Sequence, residues 1–375
     1  MTHASSFRRR LAAAVLLAVL AGTATAARAD WPVTVTDATG REVTVPKRPE
    51  RILLGSGFNL VALSLIHPDP VGLLAGWTND LLLYNTELYE SFRARFPALA
   101  DVPVVSTGGP GTFSTEMAIT VEPDLAILAA WQDDAPEDRL NIERMTEAGI
   151  PVVVVDFNHD PLSNTAPGMR LLGRVLGREE QAEAFAGFYE AHLEHIRSAM
   201  AERGGTGPSV LLEAFPEPDT CCWAYGGTGM GEFLTLLGSR PVGADRLPPQ
   251  GGELDAEFVL SVSPEVYIAT GMPDGGRLRV GPGVETGDAV ASLEEAVASP
   301  VRASMAATQA GRVHALWNFF NAVPLNILAL EAMASWTRPD VFPDLDPAAT
   351  LSEINARFAA VPFDGTYWTS LGGPR

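Results

Sequence analysis

One twelve-residue pattern occurs twice in this chain, and that repetition constrains its fold more than any other feature. Glu116-Met117-Ala118-Ile119-Thr120-Val121-Glu122-Pro123-Asp124-Leu125-Ala126-Ile127 reads against Glu257-Phe258-Val259-Leu260-Ser261-Val262-Ser263-Pro264-Glu265-Val266-Tyr267-Ile268. Both follow Glu-x-x-x-x-Val-x-Pro-(Asp/Glu)-x-x-Ile. In each copy a short helix ends at the proline, which cannot continue it, and an apolar strand begins. Two copies, each in the middle of its own half of the chain, indicate duplication of one α/β unit.

The surroundings of each copy agree. Around the first, the apolar runs Arg51–Leu54, Val71–Leu74, Val102–Val105, Leu125–Leu128 and Pro151–Val155 alternate with helical patterns near 58–67, 85–95, 114–120 and 137–148. Runs that are continuously apolar, rather than alternating, predict parallel strands covered on both faces. A short hairpin precedes them, Val33–Thr36 and Glu42–Val45 about the turn Asp37-Ala38-Thr39-Gly40. Around the second copy, Ser209–Leu212, Val266–Ala269 and Val313–Trp317 read as strands, with helices near 229–238, 257–262, 290–297 and 325–337. The Gly-rich stretch 271–288 reads as a loop.

Between the halves lies Glu179–Glu202, with no proline and a single glycine at 187. Phe185, Tyr189, Leu193, Ile196 and Met200 recur on one helical face. At about 1.5 Å per residue this helix would be roughly 36 Å long, enough to lie along two lobes, and Gly204-Gly205 ends it. The expected fold is α/β, with two Rossmann-like lobes of parallel sheet joined by one long α-helix. Residues 30–160 form the first lobe, 161–205 the linker with the helix, and 206–375 the second lobe.

Residues 1–29 read as a signal peptide. Arg8, Arg9 and Arg10 precede an apolar stretch from Leu11 to Gly22, too short for a membrane span, and Ala27-Arg28-Ala29 gives a small-residue cleavage site. Ala24-Thr25-Ala26 is the other option, and the adjacent arginines leave the general and twin-arginine export routes both open. The expected location is the periplasm, as a soluble monomer without a lipid anchor. The only cysteines, Cys221 and Cys222, are neighbours that cannot staple distant parts of a fold. They read either as an incidental loop pair, oxidised or reduced, or as a rigid ring facing a ligand.

The chain has 26 Lys and Arg against 46 Asp and Glu. Removal of the leader takes away four arginines and no acids, which lowers the formal charge from −20 to −24. Without basic blocks, such a chain does not neutralise nucleic-acid phosphates or bind anionic membranes.

Taken in order, several segments resemble the periplasmic substrate-binding proteins of ABC importers that carry ferric siderophores, cobalamin and haem. The resemblance spans essentially the whole mature chain. It rests on Val35-Thr36-Asp37-Ala38-Thr39-Gly40-Arg41-Glu42-Val43, Pro49-Glu50-Arg51-Ile52, both repeat units, Ala148-Gly149-Ile150-Pro151-Val152 and Gly311-Arg312-Val313-His314-Ala315-Leu316. It implies a ligand held between two lobes, little hinge closure, and an ABC permease as partner. It further implies that one exposed glutamate on each lobe docks onto permease arginines, by motif position Glu116 and Glu257. As plain helix residues, the same two acids would simply favour a helix N-terminus.

Ligands of open α/β lobes sit beyond the carboxyl ends of the strands. The aromatic residues expected there are Phe58, Trp77, Trp131 and Phe157 in the first lobe, with Trp223, Tyr225, Trp317, Phe319 and Phe320 in the second. Large stiff rings on both sides of a cleft suit a bulky small-molecule metal chelate. Bases near strand ends are few, Arg277 and Arg279 foremost, which disfavours strongly anionic triscatecholates and leaves hydroxamate or mixed iron chelates and cobalamin. A bare-metal site is not expected, because only His159 among the histidines falls at a strand end and the His192/His195 pair lies on the long helix. For haem, His159, Tyr84 or Tyr225 would be the axial candidates.

An enzyme reading finds little support. There is no Gly-x-Ser-x-Gly, Gly-x-x-x-x-Gly-Lys or His-Glu-x-x-His. The glycine-rich Gly226-Gly227-Thr228-Gly229-Met230-Gly231 reads as a loop entering a helix. The expected function is therefore capture of an iron–siderophore complex, with no resident cofactor, and delivery to the permease. Cobalamin or haem is the alternative cargo.

Overall fold

A computed structural model describes residues 30–106 and 113–372. The signal-peptide reading therefore lies outside the described residues. The first lobe is built on a four-stranded, wholly parallel sheet in the order Leu74–Trp77, Ile52–Leu54, Leu125–Ala129, Val152–Val155. All four strands are buried along most of their length, as expected of runs covered by helices on both faces.

The second sheet has seven strands in the order Gly251–Glu253, Trp223–Tyr225, Ser209–Ala214, Val266–Gly271, Val313–Trp317, Trp368–Leu371, with Arg240–Pro241 beside Ser209–Ala214. Its three central strands are parallel, as expected. Its flanks are antiparallel, so this sheet is mixed rather than parallel throughout.

The duplication extends to hydrogen bonds. In each lobe the strand of the repeat unit lies between the first strand of the lobe and a third parallel strand. Glu122 and Ser263 end the two short helices at φ 47° and 52°, each directly before proline. A residue before proline is disfavoured in the right-handed helical region, and the left-handed conformation closes the helix. The acid that follows then grips the adjacent strand: Asp124 accepts from the Arg51 amide at 3.0 Å, and Glu265 from the Ser209 amide at 2.8 Å. In return the Asp124 amide donates to Arg51 O and the Glu265 amide to Ser209 O.

The connecting helix runs Glu179–Arg203, one residue beyond the expected end. It packs antiparallel to Pro161–Leu176, a helix to which the sequence reading gave no assignment because Pro167 interrupts it. Arg170 links the pair by binding Glu183 and Glu190. Two predicted strands are displaced. Val71–Leu73 forms a 3-10 turn with the strand starting at Leu74, and Val102–Val105 contributes only a bridge between Trp77 and Val104.

Candidate functional site

The strand ends of both lobes open onto one cleft, which divides into two chambers of about 490 and 310 Å³. Asn158, Asn318 and Asn321 line both and form the waist between them. The larger chamber is walled by Phe215, Trp223, Tyr225 and Met230 of the second lobe and by His159 of the first. The smaller is walled by Phe58, Tyr84 and Trp131 from the first lobe and Phe319 from the second, with Ser56 and Asp80.

Beside the cleft the lobes touch directly. Phe58 stacks on Phe319 with ring centroids 4.3 Å apart, Asn158 Nδ2 donates to Asn321 O at 3.1 Å, and the Gly229 amide donates to His159 O at 2.9 Å. A side chain at Gly229 would also crowd Asn158 O, so the glycine-rich segment serves as a close interlobe contact.

The loops are fixed from beneath. Gly55 O accepts from Thr78 Oγ1 and Gln132 Nε2, and a Cβ on Gly57 would meet Thr78 O at 2.7 Å. Asp80, almost wholly buried, accepts from Ser56 Oγ at 2.6 Å, the Gly57 amide at 2.6 Å and Thr78 Oγ1 at 2.8 Å. Burial nevertheless raises its pKa above the usual carboxylate range.

In the second lobe, Phe215 sits at φ 47° and is 38% exposed to the cleft. A non-glycine residue in that region marks a constraint imposed by its surroundings, here the bond from its amide to Thr270 O. The segment after it is tied down by buried Arg302, which donates to Glu217 O and Thr220 O and pairs with Glu213. Cys221 and Cys222, next in the chain, are joined by a disulfide. The cysteines lie directly before the Trp223 wall.

Asn318 Oδ1 accepts from both Tyr225 Oη and Thr270 Oγ1 at 2.7 Å. With its oxygen engaged twice, the amide N–H2 is what Asn318 offers a ligand. Burial pushes the Tyr225 phenol well above its ordinary pKa, so it is a donor rather than a phenolate. His159 Nε2 lies 3.2 Å from Asp134. Among the described residues no group of three or more His, Cys, Asp or Glu is placed to hold a metal ion. Among the described residues, no Arg or Lys lines either chamber. Arg277 pairs with Glu217 and Glu295, and Arg279 with Asp288, away from both chambers.

Of the nine aromatics expected in the cleft, Phe58, Trp131, Trp223, Tyr225 and Phe319 line it. Trp77, Phe157, Trp317 and Phe320 do not: all four are buried in the core. Trp77 and Trp317 end their strands on the face that packing elements cover, and Phe157 and Phe320, in the segments after the strands, fold back into the core. Trp77 stacks on Tyr89, Phe157 packs against Gly168, and Trp317 meets Phe320 and Tyr367 edge to face. The sequence reading missed the three waist asparagines, although Asn158 and Asn318 directly follow named strand-end aromatics. Asp80 had no sequence signal.

Glu116 and Glu257 occupy the same position in the first turns of Thr115–Thr120 and Ala256–Val262, capped by Ser114 and Asp255. Both are exposed, and Ile119 and Leu260 are exposed one turn further on.

The periplasmic binding protein family profile matches residues 64–317. An uncharacterised ABC transporter substrate-binding lipoprotein of Bacillus subtilis, YvrC, is 24% identical over 245 residues, covering 64% of this chain and 69% of that protein. The structure of the TroA-like periplasmic binding protein FepB from Veillonella parvula superposes with a TM-score of 0.77 at 24% identity, over 91% of this chain and all of that one. The nickel–histidine complex of Helicobacter pylori CeuE superposes with a TM-score of 0.65 at 14% identity, over 88% and 96% of the two chains. Identities this low carry the fold and not the cargo. On the profile match, the two-lobe architecture and the interlobe cleft, this chain belongs to the periplasmic binding protein family, the substrate-binding proteins of ABC transporters.

Proposed function

We propose that this protein captures an iron–siderophore complex in the interlobe cleft and presents it to an ABC permease. The observation that carries the reading is the cleft lining: aromatic walls from both lobes, three amides at the waist and, among the described residues, no Arg or Lys. Such a surface buries the organic shell of a bulky chelate and hydrogen-bonds its carbonyl oxygens. It supplies no paired positive charge for a triscatecholate complex, so a hydroxamate or mixed-donor chelate fits best. The role is binding and delivery rather than chemistry.

Phe58, Trp131, Trp223, Tyr225 and Phe319 would make the aromatic contacts, while Trp77, Phe157, Trp317 and Phe320 shape the frame behind them. Glu116 and Glu257 would engage basic residues of the permease, one from each lobe. Residues 1–29 would direct export to the periplasm, with cleavage after Ala29.

Tryptophan fluorescence of the mature, ligand-stripped protein tests the reading. Titration with a ferric hydroxamate should give saturable quenching at sub-micromolar concentration, absent with the iron-free form. Preference for cobalamin would replace the cargo, and silence towards both would overturn the iron-chelate reading.

A further inference from the structure

We propose that the smaller chamber of the cleft is an alkylammonium site, in which Phe58, Tyr84, Trp131 and Phe319 box the cation and Asp80 supplies its counter-charge. The inference rests on the reading that the cleft holds the cargo, and it names a group that the cargo carries.

Three observations converge on it. First, four aromatic side chains from two lobes share a chamber of about 310 Å³. Phe58 and Phe319 are stacked at 4.3 Å, and Tyr84 meets Phe319 at 5.3 Å. Aromatic faces are electronegative, and a cation enclosed by several of them, out of water, is attracted to the ring faces.

Second, the same chamber is lined by the buried carboxylate of Asp80. Its three donors, Ser56, Gly57 and Thr78, leave room on its two oxygens for one more. All three donors are neutral, so among the described residues the carboxylate has hydrogen bonds but no ion partner. Burial raises its pKa, and burial first, then the Asp80 charge, raises that of Tyr84. An ammonium group would supply the missing partner and hold Asp80 ionised.

Third, among the described residues no Arg or Lys lines the chamber to compete for that role. Its volume suits an ammonium on a short alkyl chain, leaving the larger chamber for the body of a chelate.

Calorimetry on the mature chain at pH 7 tests the proposal. The probes are a linear ferric trihydroxamate with a free terminal ammonium, the same chelate acetylated on that nitrogen, and n-pentylammonium chloride alone. The ammonium chelate should bind about tenfold or more tightly than the acetylated one. Asp80→Asn and Trp131→Leu should each abolish that preference, bringing the two chelates to equal affinity. Trp131→Leu alone decides the matter where Asp80→Asn loses its cooperative melt. Equal affinity for the two chelates in the unmodified protein overturns the ammonium site and leaves the iron-chelate reading standing. Where neither chelate binds, that reading fails and n-pentylammonium decides. Saturable binding lost in Asp80→Asn upholds the ammonium site, and no binding overturns it.

Discussion

The indole N–H of Trp317 donates to the side-chain oxygen of Asn85 at 2.8 Å, a buried bond between opposite lobes across 232 positions of sequence. With the Phe58–Phe319 stack, it holds the lobes together at one side of the cleft. Trp317→Phe keeps an aromatic ring but leaves the buried Asn85 amide without its one donor. The expected cost is about 1–3 kcal/mol, seen as a lower urea midpoint at constant slope. An unchanged midpoint would show that this bond adds nothing to lobe association.

The repeat-unit acids predict an asymmetry. Asp124 and Glu265 make the same bond to the start of a neighbouring strand, but the amide that Asp124 holds belongs to exposed Arg51 and the one that Glu265 holds to Ser209, which is only 7% exposed. A strand-start amide left unpaired in a dry environment costs more than one that water can reach. Glu265→Ala should therefore destabilise by about 1–3 kcal/mol and Asp124→Ala by less than half as much. Equal losses in chemical denaturation would refute the account by exposure.

Glu116 and Glu257 stand at equivalent, exposed helix positions outside both chambers. Reversing both charges, Glu116→Lys with Glu257→Lys, should abolish transport in reconstituted vesicles and leave ligand affinity within about twofold. A variant that loses affinity instead would remove these residues from a docking role.

His314 is buried on the central sheet, stacked on Trp336 at 4.4 Å and bonded to Ser370 at 2.7 Å. Burial first, then Arg312, pushes its pKa down to about 3. The unfolded chain, with His near its ordinary value, binds a proton that the folded chain refuses. Stability is thus complete above about pH 6.5 and falls by at most about 1.4 kcal/mol per pH unit as the pH drops towards 3. His314→Gln should flatten this part of the profile in parallel denaturation series, and identical slopes would contradict it.

The sequence by itself determined the two-lobe plan, because periodicity and punctuation are local properties. The twelve-residue unit located the helix-to-strand corner in each half, and an uninterrupted apolar face located the connecting helix at Glu179–Arg203 within one residue. Continuous apolar runs identified the parallel strands at 52–54, 125–129, 152–155, 266–271 and 313–317. The helix Pro161–Leu176 escaped because Pro167 breaks the local pattern, while packing against the connecting helix sustains it.

Only the tertiary structure decided which strand-end residues face the cleft. A strand places neighbouring side chains on opposite faces, and no local signal says which face the other lobe will cover. Trp317, the last residue of its strand, faces the core, while Phe319, in the 3-10 turn that follows, lines the smaller chamber. The carboxylate of Asp80 joined that chamber through bonds to Ser56 and Gly57, more than twenty residues away in sequence. The waist of Asn158, Asn318 and Asn321 exists only once both lobes are in place, because its members come from opposite ends of the connecting helix.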